Sequence, residues 1–129
     1  VFSMTGKAHA EAGTAEDYLR FCGQMLQAGA DALDCSASLQ TVEYLAREYV
    51  PIVGHVGLVP SRATFTGGFQ AVGKTANAAI ALFHECRRYQ EAGAFAVEIE
   101  VVPPEVTAEI AKQTHRDQCE RHSAPLILG

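Results

Sequence analysis

The sequence of 129 residues contains no long apolar run, no C-x-x-C pair and no excess of basic residues. A helix that crosses a bilayer needs roughly 20 consecutive apolar residues, so we expect no membrane partner. Ten Lys and Arg stand against 15 Asp and Glu, giving a formal net charge of −5. This balance argues against nucleic acid as the main partner, because phosphate binding needs clustered cations.

The four cysteines, Cys22, Cys35, Cys86 and Cys119, form no C-x-x-C pair, and the chain is not a small loop-rich scaffold of the kind that disulfides hold together. We interpret them as reduced thiols and expect a cytoplasmic protein. Hydrophobic residues make up 48% of the chain and charged residues 19%, which is typical of a globular domain.

Two segments echo each other: residues 27–34 read QAGADALD and residues 91–98 read EAGAFAVE. In each, a helical pattern ends at Gly and an apolar strand pattern begins shortly afterwards. Glycine favours the left-handed conformation that ends a helix. A short helix-to-strand connection used twice predicts a repeating βα architecture.

Four helices are predicted by their starting residues: Thr14, Ser38, either Thr75 or Asn77, and the pair Pro103-Pro104. Helical spacing assigns one apolar side to each of the first three. These sides comprise Tyr18, Phe21, Cys22, Met25 and Leu26; Leu39, Val42, Leu45 and Tyr49; and Ile80 and Phe83, with Arg87 in phase.

Strand patterns alternate with these helices, at residues 1–5, 32–36, 51–55, 95–101 and 125–128. The order predicts a parallel sheet with four helical crossovers. A complete (β/α)₈ TIM barrel takes about 250 residues, so we expect a partial barrel of about five strands. A small open doubly wound sheet is the alternative. We treat residues 1–129 as a single α/β domain, and the strand-like runs at both ends lead us to expect part of a larger barrel.

The polar residues with the strongest functional interest lie near the carboxyl ends of predicted strands, where parallel α/β proteins place their chemistry. They are Asp34, Ser36, His55, Glu98 and Glu100. Residues two apart on a strand share a face, which pairs Asp34 with Ser36 and Glu98 with Glu100. Buried carboxylates need a metal, a cation or a substrate to offset their desolvation, and a histidine at a strand end can move a proton.

A phosphate-loop pattern occurs at residues 68–75, GFQAVGKT, which fit G-x-x-x-x-G-K-[ST]. The apolar strand that should precede such a loop is poor here, so we keep nucleotide binding as an alternative function only.

A possible zinc site is formed by His115, Cys119 and His122, which share one face if this stretch is helical. Charged neighbours favour an ordinary solvated helix or loop instead.

The chain resembles a known family, most closely in its middle part. Residues 50–60 (VPIVGHVGLVP), the loop at 67–74 (GGFQAVGK), residues 91–94 (EAGA) and the strand region 100–106 (EVVPPEV) are similar to the signatures of ketopantoate hydroxymethyltransferases. The resemblance extends over about residues 14–112, and it explains the phosphate-loop pattern as part of a substrate-side loop.

The resemblance implies a barrel of the phosphoenolpyruvate/pyruvate type. It also implies transfer of a hydroxymethyl group from methylenetetrahydrofolate to 3-methyl-2-oxobutanoate or a related 2-oxo acid in pantothenate biosynthesis, with Mg²⁺ holding the keto acid. By position, Glu100 would be the catalytic base and His55 would contact the keto acid or the developing hydroxyl.

This sequence departs from the family pattern at one strand. There the resemblance leads us to expect a Lys at the position of Asp34 and a metal-contacting Glu at the position of Ser36. We expect Asp34 and Ser36 to bind substrate, with Asp34 also a candidate Mg²⁺ ligand. A non-catalytic or truncated member that has lost the metal site is the alternative. Five strands leave two open sheet edges, so we expect a homo-oligomer or further barrel strands to cover them.

Overall fold

The computed structural model describes residues 4–8, 13–57, 75–121 and 126–128. Its strands and helices alternate in the order β1 (Met4–Ala8), α1 (Ala15–Gln27), β2 (Ala32–Cys35), α2 (Leu39–Arg47), β3 (Ile52–Gly57), α3 (Ala76–Glu91), β4 (Ala96–Glu100), α4 (Pro104–Arg121) and β5 (Leu126–Leu128). None of the helices in these ranges combines the length and the apolar character that crossing a bilayer requires.

The predicted helix starts are confirmed. At α1, Thr14 Oγ1 accepts a hydrogen bond from the Asp17 backbone N–H, and an Asp17 carboxylate oxygen accepts one from the Thr14 N–H, each over 3.2 Å. This reciprocal pair is a capping box. Ser38 and Thr75 cap α2 and α3 in the same way, by accepting from the backbone N–H three residues on.

The ends of α1 and α3 explain the echo between the two similar segments. Gly29 and Gly93 follow these helices with φ values of 107° and 98°. The backbone N–H of the next residue, Ala30 or Ala94, returns to a carbonyl in the last helical turn. The chain then enters β2 or β4 within two residues, as the pattern predicted.

The sheet is parallel throughout, and its five described strands lie in the order β1-β2-β3-β4-β5. A doubly wound sheet reverses its strand order at one point, whereas no reversal occurs among these strands. The finding favours the sequential pattern of a partial barrel over the doubly wound alternative.

All four helices pack on one face of the sheet. A single apolar core joins helical side chains to strand residues that alternate along the chain: Cys22, Val42, Leu45, Leu82, Cys86, Tyr89 and Ile110 from the helices, and Leu33, Cys35, Ile52, Val56, Val97 and Ile99 from the strands. Gly54 belongs to this face, because a Cβ there would overlap the Tyr89 ring. Its missing side chain lets α3 lie directly on β3.

Two details of the predicted helix faces were wrong. In α3 the buried residues are Leu82, Cys86 and Tyr89, while Ile80 is 55% exposed. After α2, Tyr49 is 95% exposed instead of joining Val42 and Leu45 in the core. Tyr49 has already left the helix with a φ of 62°, so helical spacing no longer describes its direction.

The opposite face of the sheet carries a second, smaller apolar cluster. Ala32, Val53 and Ala96 are fully buried there, on β2, β3 and β4, and the register pairs Val53 with Asp34 on one side and with Ala96 on the other. Because side chains alternate along a strand, residues two and four positions further on project from this same face. That geometry decides which polar residues can meet.

Candidate functional site

Four polar side chains continue the second face toward the carboxyl ends of the strands. Asp34 lies two residues after Ala32, His55 two after Val53, and Glu98 and Glu100 two and four after Ala96. The register pairs His55 with Glu98 and Gly57 with Glu100 across β3 and β4. The parallel sheet therefore brings together one imidazole and three carboxylates that are distant in sequence.

His55 is the centre of this cluster, and only 2% of it is exposed. Its Nε2 atom lies 2.7 Å from Oε2 of Glu100, a hydrogen-bonding distance. Its Nδ1 atom lies 3.5 Å from Oδ2 of Asp34, which is also buried at 3% exposure. The Glu100 side chain is 39% exposed, so it connects the buried imidazole to solvent. A carboxylate that is both hydrogen-bonded and accessible can exchange a proton with a bound molecule.

The surrounding charges favour protonation of the imidazole. Hydrogen bonding to Asp34 makes the largest contribution and raises the pKa of His55 above its ordinary value. Burial opposes this change, whereas the Asp34 charge and the Glu100 and Glu98 carboxylates add to it. The protonated ring carries a hydrogen on both nitrogens, so Nε2 can donate to Glu100 while Nδ1 faces Asp34.

The donor atoms are also close enough for a cation. One ligand atom from each of Asp34, His55 and Glu98 can be chosen so that all three lie within 4.8 Å of one another. Glu98 is half-buried and shares the face of Glu100. The two-residue spacing to Glu100 identified Glu98 from the sequence. Without the strand register, however, Glu98 could not be distinguished from a carboxylate at a solvated sheet edge.

Backbone geometry holds the end of β4 in place. A Cβ on Gly57 would overlap the backbone carbonyl oxygen of Glu100 and approach the Val102 side chain. Val101 follows Glu100 with a φ of 54°, a left-handed conformation that is rare for a β-branched residue. Such strain persists only where neighbouring structure enforces it, and it is common at functional sites. Sequence reasoning missed Val101, although Gly57 at the end of an apolar strand was a usable signal.

Ser36 does not join the cluster as Asp34 does. It lies one residue beyond β2 and is half-buried. Within the described ranges, no hydrogen bond or ion pair joins it to His55 or to the carboxylates. Its predicted role in binding substrate stays a prediction.

Two other sequence patterns fall largely outside the described residues. Residues 58–74 are not described, so the proposed phosphate loop is represented only by Thr75, the N-cap of α3. His115 and Cys119 belong to α4, which continues to Arg121, so their backbone is helical as the zinc hypothesis required. Their side chains and His122 lie outside the description.

Comparison with known proteins supports the resemblance. The chain is 40% identical over 106 residues to 3-methyl-2-oxobutanoate hydroxymethyltransferase of Hyperthermus butylicus, covering 80% of this chain and 36% of that protein. It is 36% identical to a second such protein, 3-methyl-2-oxobutanoate hydroxymethyltransferase 2 of Bradyrhizobium diazoefficiens, over 72% of this chain and 33% of that one. A third, 3-methyl-2-oxobutanoate hydroxymethyltransferase of Pyrobaculum calidifontis, is 36% identical over 74% of this chain and 37% of that protein. The chain thus spans about a third of the length of these curated relatives.

The family's own sequence model matches residues 8–116, which include every member of the His55 cluster. This range agrees closely with the resemblance over about residues 14–112, and it contains the phosphate-loop pattern as part of the family sequence. On this evidence the chain belongs to the ketopantoate hydroxymethyltransferase family.

Proposed function

We propose that this chain carries the proton-abstracting part of a ketopantoate hydroxymethyltransferase, acting on 3-methyl-2-oxobutanoate or a related 2-oxo acid. The observation that supports the proposal most strongly is the 2.7 Å contact between His55 Nε2 and Glu100 Oε2 at the carboxyl ends of adjacent parallel strands. It pairs a partly exposed carboxylate with a buried imidazole whose protonated form is favoured.

The chemical role follows from this pair. Glu100 would take the proton from C3 of the keto acid, and the electrons of that C–H bond would form the C2=C3 double bond. The keto oxygen would then carry the negative charge, and the Nε2–H of His55 would donate a hydrogen bond to it. Glu100 and His55 would thus act on the same substrate molecule, Glu100 at C3 and His55 at the keto oxygen.

The resulting enolate is a carbon nucleophile. We propose that water cleaves the two C–N bonds of the methylene carbon in methylenetetrahydrofolate, which releases formaldehyde. C3 then adds to the formaldehyde carbon to form the new C–C bond, and the resulting alkoxide takes the proton back from Glu100. Water supplies the oxygen of the hydroxymethyl group, and tetrahydrofolate is the second product. This donor is inferred from the family resemblance alone.

The residues around His55 can be compared with the ligands that Mg²⁺ prefers. This ion prefers an octahedral shell made of oxygen atoms, usually with several waters. The closely grouped donors here are two carboxylates and an imidazole, and Ser36 offers a hydroxyl where the resemblance leads us to expect a carboxylate. This donor set therefore fits Mg²⁺ poorly.

We also propose that the five strands belong to a (β/α)₈ barrel. The sequential strand order and the helices on one face support this, because a barrel repeats that arrangement until its first and last strands pair. β1 and β5 each have one strand neighbour among the described residues, so further strands or a second copy of the chain would cover their outer edges.

The test is exchange of the C3 proton of 3-methyl-2-oxobutanoate for deuterium, followed by NMR in D₂O with the full chain. Glu100→Gln should slow exchange by about 10²–10⁴-fold while the keto acid still binds. The control Glu48→Gln alters an exposed carboxylate just after α2 and should leave the rate unchanged. Absence of exchange by the folded chain would favour the non-catalytic alternative, and retained exchange by Glu100→Gln would mean that another group is the base.

A further inference from the structure

The donors around His55 are arranged differently on its two ring nitrogens. Nε2 lies 2.7 Å from Glu100 Oε2, so this nitrogen carries the hydrogen and the carboxylate fixes the ring orientation. Nδ1 faces Asp34 Oδ2 at 3.5 Å, well beyond the roughly 2.7–2.9 Å of a strong charge-assisted hydrogen bond. A histidine that binds a metal through one nitrogen usually donates its other ring N–H to a carboxylate or a similar acceptor, and the contact of Nε2 with Glu100 is of this kind.

The separation of 3.5 Å has a simple geometric meaning. Two ligand atoms bound to one Zn²⁺ at about 2.1 Å, with a tetrahedral angle between them, lie about 3.4 Å apart. His55 Nδ1 and Asp34 Oδ2 nearly match this spacing. A Glu98 carboxylate oxygen lies within 4.8 Å of one ligand atom of Asp34 and one of His55, so Glu98 is the third candidate ligand.

The three ligands come from rigid neighbouring elements. Asp34 lies on β2, His55 on β3 and Glu98 on β4, and the register places His55 directly beside Glu98. Asp34 and His55 are almost completely buried, which removes water that would otherwise compete for the cation. A divalent ion would also offset the accumulation of three carboxylates, including Glu100, around one imidazole.

The donor types select the class of ion. Mg²⁺ and Ca²⁺ prefer oxygen ligands, whereas imidazole together with carboxylates suits Zn²⁺ and similar transition metals. We propose that Asp34, His55 through Nδ1, and Glu98 form a binding site for a divalent transition metal of the Zn²⁺ type, with Glu100 holding the Nε2–H of His55. Three protein ligands leave a fourth position for water or an oxygen of a bound molecule. The proposal does not depend on hydroxymethyl transfer.

The first test is metal binding by the full chain after treatment with EDTA, measured by calorimetry and by metal analysis after dialysis. One Zn²⁺ per chain should bind, at least about 100-fold more tightly than Mg²⁺, as expected for an imidazole-containing site. Asp34→Asn and Glu98→Gln should each weaken Zn²⁺ binding by at least about tenfold, and Glu100→Gln by about 10–100-fold through loss of the carboxylate that orients the ring. The control Glu43→Gln changes an exposed carboxylate paired with Arg47 and should have no effect.

The second test uses the unaltered chain, so it does not depend on whether a variant folds. Co²⁺ bound by nitrogen and oxygen should give weak visible bands without the intense near-ultraviolet band of a cobalt–thiolate bond. A thiolate band would place the metal on a cysteine and overturn the proposal. Mg²⁺ binding as tight as Zn²⁺, or Zn²⁺ binding that Asp34→Asn and Glu98→Gln leave unchanged, would overturn it as well.

Discussion

Gly57, the last residue of β3, lies directly against the backbone of Glu100, the last residue of β4, in a position that leaves no space for a Cβ. The carboxyl end of β3, the strand that carries His55, is thereby packed against Glu100, the residue proposed as the base. It makes Gly57 part of the structure that positions Glu100, although glycine has no functional group of its own.

Gly57→Ala should therefore lower the free energy of unfolding by about 2 kcal/mol or more, since it adds a steric overlap to the strain of a φ of 84°. Gly29→Ala is the matched control, because Gly29 also has a positive φ but a Cβ there would meet nothing within 4 Å. Its loss should be limited to about 1–2 kcal/mol. Urea denaturation followed by circular dichroism measures both values, and a smaller loss for Gly57→Ala than for Gly29→Ala would contradict the close packing.

Tyr49→Gly should stabilise the protein. Tyr49 has a φ of 62° and an almost fully exposed side chain, so it bears left-handed strain with little burial in return. Glycine at the corresponding position after α1 and α3 relieves such strain, and we expect a gain of about 1 kcal/mol. Glu48→Gly, at a φ of −86° one residue earlier, should instead destabilise. A loss of thermal stability in Tyr49→Gly would show that the tyrosine makes a compensating contact.

Asp34→Asn should lower the pKa of His55, because hydrogen bonding to this carboxylate is the main cause of the raised value. A raised folded-state pKa contributes stability that is fully present below the unfolded pKa of histidine and is lost as pH rises through the folded value. The variant should lose part of that contribution, so its free energy of unfolding should depend less on pH between the unfolded and the folded pKa of His55. NMR titration of the imidazole in the presence of EDTA measures the change, with exposed Asp31→Asn as the control. An unchanged His55 titration in Asp34→Asn would contradict the pairing.

Cys22 and Cys86 should be unreactive while the protein is folded. Burial raises the pKa of Cys86 to about 12 and that of Cys22 to about 11, so the reactive thiolate is scarce near neutral pH. Iodoacetamide at pH 8 should label both in urea and neither in the native state, as peptide mass spectrometry can show. The same raised values predict that stability falls as pH rises above the ordinary thiol pKa of 9.0, because the unfolded thiols ionise first. Rapid native labelling of Cys86 would contradict its burial.

The sequence by itself determined the order and most boundaries of the elements. The reason is local: Thr14, Ser38 and Thr75 satisfy the free N–H groups at helix starts, and Gly29 and Gly93 adopt the left-handed conformation that ends α1 and α3. Motif similarity also identified the family and selected His55 and Glu100. These signals need no knowledge of which strands are neighbours.

Only the tertiary structure decided which of the strand-end residues meet. Whether Asp34 and Glu98 face His55 depends on the register of three parallel strands, and a shift of one residue would turn each side chain to the opposite face. The predicted burial of Tyr49 was wrong, because the backbone has already left the helix at this residue. The predicted buried side of α3 was also wrong, because the packing of α3 on Gly54 overrides regular helical spacing. The imidazole surrounded by carboxylates is thus a product of strand pairing, since its members are separated by up to 66 positions in the sequence, from Asp34 to Glu100.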